Sequence, residues 1–586
     1  GDCTYGGTTL VEDGTLVFKG YNTLPGNITV RKGLLTVEGT VTQSVSSCYL
    51  EGASTYNALL RLTEGATMFN NNYFNIRSNG AVYVEGGTLT RGGSAGFDDY
   101  FIFGSYNGGY GYLKMSGGTL TSPRLILASR LAATPNGSIG IARLSGGTAT
   151  FSSNPHVGAA SNSIGVLTLD IGSTFLKTGT GVNTYLAYYG GRGELNLTGG
   201  TLNNYHQTLY VGQNATYGYA TGIVNLCAGS LADTTLTRSS GAFFLNFCGG
   251  SLAAGATSPA DMISTSLTGV YSYGPAGGFT GGACFDTAGR SLTLSAPVQA
   301  PAGQGVQTIT LSNQGSGYIG EPYVAIRGGG GDGATAVANM IDDGKGKGTF
   351  KVASVTITCP GMGYTSAPAV TFLKGGAGAV AATGSATLGA NMSGGLTKLG
   401  AGTLTLNAAN TYGGATTVSN GTLRCAAAAS LPEGTDIVLA GGTLDLGGFT
   451  RTNGTVTGTS GVLSNGTLAV TGNILPGGEG SIGTLTLGLA SCTLTDGNLV
   501  IDVAADGGSD CLAVQGDIDL ANLSLEITNP EMLNRSKVYT ILTCSGTRTG
   551  TFSSVTGLPD SRWHVVYGAD GRVQLIFTNG TLIRIH

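Results

Sequence analysis

Residues 111–127 read Gly111-Tyr112-Leu113-Lys114-Met115-Ser116-Gly117-Gly118-Thr119-Leu120-Thr121-Ser122-Pro123-Arg124-Leu125-Ile126-Leu127. A short alternating run is broken by a glycine pair, and a second apolar run follows almost at once. Alternation with a period of two marks a half-buried strand, and glycine supplies the positive φ that a sharp corner needs. The unit recurs as Gly86-Gly87-Thr88-Leu89, Gly146-Gly147-Thr148-Ala149 and Gly199-Gly200-Thr201-Leu202. Degenerate copies stand at Ala228-Gly229-Ser230-Leu231 and Gly249-Gly250-Ser251-Leu252, and an intermediate one at Ile171-Gly172-Ser173-Thr174. Strand, glycine corner, strand and loop, repeated mostly at intervals of 21 to 31 residues, describe one coil of a solenoid. The sequence therefore predicts an all-β chain: a right-handed parallel β-helix (β-solenoid) with a small inserted β module. Inward Leu, Val and Ile stack on copies of themselves, and Thr, Ser and Asn alternate outward.

Composition agrees. Of 586 residues, 103 are glycine and only 10% are charged, with a net charge of -4. Fifteen prolines and no glycine period of three exclude collagen. The 28 basic residues form no basic stripe, so no nucleic-acid partner is expected. A chain that is 41% hydrophobic and nearly neutral does not fit solvating disorder. No apolar run reaches the ~18 residues of a membrane helix, so no membrane span is expected. The opening Gly1-Asp2-Cys3 lacks an initiator Met and is read as a processed N-terminus, with the signal peptide removed and the mature protein extracellular or at the cell surface.

The ten cysteines, an even number, suit an oxidising compartment. The clearest pair lies in a local repeat, Asn225-Leu226-Cys227-Ala228-Gly229-Ser230-Leu231 against Asn246-Phe247-Cys248-Gly249-Gly250-Ser251-Leu252. If that offset is one coil, Cys227 and Cys248 stack on neighbouring strands. They then form either a disulfide or a ladder of two buried thiols. Cys511–Cys544 and Cys3–Cys48 are further disulfide candidates from proximity.

Three stretches divide the chain: 1–300, a solenoid of irregular Gly-Gly-Thr coils; 301–388, a tandem β module; and 389–586, a second solenoid with a C-terminal cap. The module carries Gly315-Ser316-Gly317-Tyr318 with Pro322, and Gly361-Met362-Gly363-Tyr364 with Pro368. It reads as a two-fold unit whose hairpin turn is Ile341-Asp342-Asp343-Gly344-Lys345-Gly346, with a strand from Phe350 to Thr358. It resembles Gly-Ser-Gly-Tyr repeats of large surface proteins and phage fibres.

Beyond the module, Gly394-Gly395-Leu396-Thr397-Lys398-Leu399-Gly400-Ala401-Gly402-Thr403-Leu404-Thr405-Leu406 leads into Asn410-Thr411-Tyr412-Gly413-Gly414-Ala415-Thr416-Thr417-Val418 and Gly421-Thr422-Leu423. This closely resembles the autotransporter-associated β-strand repeat of passenger domains. Tyr539-Thr540-Ile541-Leu542 and Trp563-His564-Val565-Val566-Tyr567 look like the cap end of such passengers. The resemblance implies a β-helical, secreted or surface-displayed protein. The sequence, which closes at Leu582-Ile583-Arg584-Ile585-His586, is read as lacking the C-terminal translocator barrel of that family.

No catalytic constellation, metal site or cofactor is expected. Asp98-Asp99 is the best carboxylate pair for sugar chemistry, but reads better as a solvated loop. Asp342-Asp343 reads as a turn former. Asp502, Asp506 and Asp510 lack the repeated-Asp nonapeptide of a calcium coil. The four histidines, 156, 206, 564 and 586, share no motif. Tyr100, Tyr106, Tyr110 and Tyr112 are candidates for glycan or partner contact, against the alternative that tyrosines cover loops and fill corners. The leading expectation is a non-enzymatic structural protein, a solenoid subunit assembling with copies of itself into extracellular filaments or a surface layer. Leu575, Phe577, Leu582, Ile583 and Ile585, on terminal strands, are candidate subunit contacts by strand addition. The segment from Cys3 to Val17 is the candidate acceptor. A monomeric adhesin or carbohydrate-binding rod is the alternative, and a polysaccharide lyase or hydrolase the third reading.

Overall fold

In a computed structural model of the chain, the Gly-Gly-Thr copies lie one above another. Thr88 is opposite Thr119, Thr119 opposite Thr148, and the column continues through Thr174, Thr201, Ser230 and Ser251. The next residue of each copy forms an inward column of Leu89, Leu120, Ala149, Phe175, Leu202, Leu231 and Leu252, all buried. Every pairing in this wall is parallel, so each copy is one coil of a β-solenoid. The glycine corners are imposed by this stacking. Gly118 has φ of 78°, and a Cβ there would stand 2.0 Å from the carbonyl oxygen of Gly87 on the coil before it. The structure describes residues 3–44, 46–93, 101–105, 108–128, 137–212, 220–256, 258–345, 348–488 and 492–579.

The chain divides into two compact units, 1–283 with 300–393, and 284–299 with 394–586. In the first, a second inward column runs through Leu35, Leu60, Val82, Leu113, Ala142, Leu167, Leu195, Val224 and Leu245. The residues on either side of it face outward, and there the polar-outward expectation fails. One outward column is Leu34, Leu59, Ala81, Tyr112, Ile141 and Val166 before it reaches Glu194. All but Leu34 are buried.

What covers them is the inserted module, which belongs to the first unit. Its neck is the antiparallel pair Gln304–Asn313 and Thr383–Ala390, which carries the chain out and back side by side. Tyr323–Arg327 pairs with Ala369–Leu373, and Thr335–Asp342 with Phe350–Cys359, both antiparallel. Asp342 and Asp343 accept bonds from the amides of Gly344 (2.6 Å) and Lys345 (3.0 Å), so they do form the turn. The two-fold character is visible in the bridges: Ser316 faces Val380 as Met362 faces Asp332. Tyr318 and Tyr364, the matching tyrosines, are both buried in the module's own core with Val306, Val324, Val352 and Phe372.

In the second unit, Leu396–Leu399 pairs with Thr416–Val418 and Thr403–Leu406 with Thr422–Cys425, all in parallel register. The stacking continues to Val538–Cys544, where the direction changes. Arg572–Phe577 pairs antiparallel with Val538–Cys544 on one side and with Trp563–Tyr567 on the other. Trp563 packs against Tyr539 and Phe577 at ring-centroid distances of 6.1 and 5.4 Å. These aromatic residues form a cap of different strand polarity from the coils below it.

Candidate functional site

The wall beneath the module is the most chemically varied surface of the first unit. Two columns meet there. The apolar column already described reaches Glu194 and Ile223. Beside it run Arg61, Tyr83, Lys114, Arg143, Thr168, Asn196, Asn225 and Asn246. The module lays Ile319, Tyr323 and Ala325 on the apolar end. Gly320 makes that approach possible, since a Cβ there would stand 2.3 Å from the Tyr112 ring.

Where the columns turn polar, the module supplies partners. Arg143 bonds Asp170 through Nε at 2.6 Å and Glu321 through Nη1 at 3.1 Å, and also reaches Ala338 O and Asn339 Oδ1. The Tyr112 hydroxyl donates to Glu321 Oε1 at 3.2 Å, and the Tyr110 hydroxyl to the Glu321 carbonyl at 2.8 Å. The Tyr83 hydroxyl donates to the carbonyl of Ile319. Two coils on from Arg143, Glu194 accepts from Arg192 and, at 2.7 Å, from the Tyr323 hydroxyl. Burial lifts the Glu321 carboxyl above its ordinary range while Arg143 pulls it back, and Glu321 in turn holds Arg143 firmly protonated. Burial likewise pushes the Tyr110 and Tyr112 hydroxyls far up. Further along, Asn246 donates to Asn225 at 2.8 Å, Asn225 to Asn196 at 2.7 Å, and Asn225 also to Thr335 of the module at 2.9 Å. Two small cavities flank the seam, about 190 Å³ beside Arg143 and about 230 Å³ beside Arg192, Arg327 and Asp332. Because Glu194 and Glu321 are buried and already bonded to the module or by it, this arrangement clamps two parts of the chain together.

The expected contact residues must be reassigned accordingly. Tyr110 and Tyr112 are covered by the module and are not a free surface for a glycan; Tyr100 and Tyr106 lie outside the described residues. Leu575 and Phe577 sit on a strand with a neighbour on each side, so that strand has no free edge to add to a partner. Leu582, Ile583 and Ile585 lie outside the described residues, as does Asp98-Asp99.

The cysteines divide similarly. Cys48, Cys227, Cys248, Cys284, Cys359, Cys425, Cys511 and Cys544 are free thiols, and the side chains of Cys3 and Cys492 lie outside the description. Cys544 is opposite Val514, three residues from Cys511, a displacement of ~10 Å along a strand. That is beyond the reach of a disulfide. Cys3 is in register with Asn22 and Val41, whereas Cys48 is in register with Ile28 in a different ladder two coils on, and Cys48 is a free thiol. Cys227 and Cys248 do follow the paired residues Leu226 and Phe247 on successive coils.

Asp502 and Asp510 accept from the amides of Gly480 and Gly483 at 2.9 and 2.7 Å, and Asp510 also from the amide of Asp502. They organise a corner, and no cluster fit to hold a metal ion occurs among the described residues. Arg143, Glu194 and Glu321 were not singled out from the sequence, because no local motif joins them. The available signal was Tyr110–Leu113 and its neighbours: strands apolar on both faces announce a covered wall.

The fold and this wall define the class: a β-solenoid with an inserted, docked β module. Residues 396–424 match the family described as passenger-associated-transport-repeat, so this stretch of the chain is similar to an autotransporter passenger repeat. The matched stretch is one coil and the opening strands of the next, from Leu396–Leu399 to Thr422–Cys425. Polar residues within it have structural work. Lys398 is buried and donates to the carbonyls of Leu399, Gly400 and Asn420 at 2.9, 2.7 and 3.1 Å, closing the Gly400–Gly402 corner. Asn410 accepts from the Val298 amide and donates to the Ser430 carbonyl, linking successive coils. The buried Tyr412 bonds Thr416 at 2.8 Å. A search of curated proteins returned no match. The repeat points to a secreted or surface-exposed protein. Among the described residues, no helix is long and apolar enough to cross a membrane.

Proposed function

We propose that the protein is a secreted structural subunit, a β-solenoid whose copies associate into extracellular filaments or a surface layer, with no enzymatic role. The observation that supports this reading is the first coil. Cys3–Thr4, Thr9–Val11 and Thr15–Phe18 each pair only with the coil that follows, among the described residues. Tyr5, Leu10 and Val17 are exposed there at 41%, 47% and 38%. A row of unpaired strand edges beside exposed apolar side chains is a template for strand addition. Trp563–Tyr567, in the second unit, is likewise paired on one side only among the described residues. Contact between unlike edges of two copies is heterologous and propagates instead of closing. Negative-stain microscopy and sedimentation of the purified chain test the reading. Filaments or sheets, abolished by Leu10→Lys with Val17→Lys, are expected. Monomers at high concentration, with no assemblies, would sink the idea.

One observation favours the adhesin alternative. Tyr185, Tyr188, Tyr189, Tyr210 and His156 form an aromatic group with ring centroids 4.2 to 5.9 Å apart, of which Tyr188, Tyr189 and Tyr210 are partly exposed. Such rings stack on the apolar faces of sugars. Glycan-array binding lost on Tyr188→Ala would support it, and a blank array would retire it.

A further inference from the structure

The outward columns of the wall end in sulfur. Cys227 and Cys248 occupy the same position on successive coils, and Cys359 ends the module strand Phe350–Cys359. These three thiols and Tyr273 form one buried cluster. Cys227 Sγ donates to the Thr358 carbonyl at 3.2 Å, and Cys248 Sγ points to the same oxygen at 3.7 Å. The Cys248 sulfur touches both of the others. The Gly361 amide, at 3.5 Å, faces the Cys359 sulfur.

Two pairings therefore compete for Cys248, and backbone geometry separates them. Cys227 and Cys248 project in the same direction from adjacent coils. A parallel ladder repeats its side chains at ~4.8 Å, wider than the ~3.5–4.5 Å between Cβ atoms that a disulfide requires. Cys359 comes from the facing module, and of the two coil thiols it is Cys248 whose sulfur it contacts. We propose that Cys248 and Cys359 form a disulfide that staples the inserted module to the solenoid wall, with Cys227 remaining a thiol.

The chemistry balances with a low-molecular-weight disulfide as oxidant. Cys248 and Cys359 together lose two protons and two electrons as one S–S bond forms. The oxidant's S–S bond breaks and takes them up as two thiols. The bond forms as the module docks, because once enclosed the Cys248 thiol is raised far above the ordinary thiol range by its hydrogen bond with Cys227 and by burial, and the Cys359 thiol by burial, which suppresses exchange. The same enclosure shields the finished bridge from reductants.

The test uses the full chain, folded with oxidised glutathione, denatured in excess iodoacetamide and mapped by mass spectrometry without reduction. A peptide joining Cys248 to Cys359, with Cys227 alkylated, is the expected result, and it persists in Cys227→Ser. A Cys227–Cys248 link, a Cys227–Cys359 link or three alkylated thiols overturns the proposal. Hydrogen exchange of 335–342 and 350–359 gives a second readout. Cys359→Ser speeds it at least tenfold more than Cys227→Ser does, and equal effects of the two variants overturn the proposal as well.

Discussion

Replacing Arg143 with Met tests whether the buried charges clamp the module. Arg143 holds four partners: Asp170, Glu321, the Ala338 carbonyl and the Asn339 side chain. Its side chain is 17% exposed and that of Glu321 only 5%, so solvent screens the pair little. Removing one member of a buried pair typically costs about 3–5 kcal/mol, because the other charge stays behind without compensation. The variant leaves Glu321 with only the Tyr112 hydroxyl. At about 1.4 kcal/mol per tenfold, amide exchange in 323–327 and 335–342 should rise roughly a hundred- to a few-thousandfold. Exchange in the second unit should not change. The effect also has a sign in pH. Burial already raises the folded Glu321 pKa, and Arg143 is among the groups that lower it. A carboxyl with a raised folded pKa stabilises the fold most below its unfolded value of about 4.3, and loses that contribution as pH rises through the folded value. The Arg143→Met deficit should therefore shrink on acidification. Adding Glu321→Leu should recover most of the loss at neutral pH, since an apolar pair can replace a buried ionic one. Hydrogen exchange with mass spectrometry, from pH 5 to 8, reads all of this. Module exchange within threefold of the parent, or a deficit that deepens in acid, would refute the clamp.

The same assay separates other contributions. Gly320→Ala drives a methyl into Tyr112 and should loosen the module by about 1–3 kcal/mol; Tyr112→Ala in that background should relieve the crowding and slow module exchange again. His156 is buried near Arg124, and burial depresses its pKa to about 3. The unfolded chain then binds the extra proton below about 6.5, so the first unit should lose about 2 kcal/mol between pH 6.5 and 5. His156→Phe should flatten that slope in pH-dependent thermal unfolding. Lys398→Met removes the lysine donor from three corner carbonyls, of which Leu399 keeps its bonds from Thr287, and should weaken 396–425 by about 2–3 kcal/mol, seen as local exchange with the first unit unaffected.

The coils were legible because their causes are local. Gly118 must turn where no Cβ fits, Thr119 and Leu120 alternate faces, and a copy one coil away repeats the instruction. The register from Thr88 to Ser251 follows from that repetition, as does the stacking of the passenger repeat around Lys398 and Tyr412. The module's hairpin and its paired Gly-x-Gly-Tyr units were legible for the same reason. Tyr110 and Tyr112 were misread because a tyrosine pattern says nothing about what lies over it. The strand 573–577 was misread because an antiparallel cap depends on chain reversal after residue 567, which no repeat encodes.

Glycine, alternation and repeat length thus settle the wall of this protein: parallel, all-β, one coil upon another. They act within a coil or between neighbouring coils. The clamp and the thiol cluster come from contacts such as Arg143 with Glu321 and Cys248 with Cys359, across 178 and more than 100 positions respectively. No periodicity spans such distances. Folding brings the module back onto the wall, and burial there turns scattered tyrosines, carboxylates and cysteines into one joint.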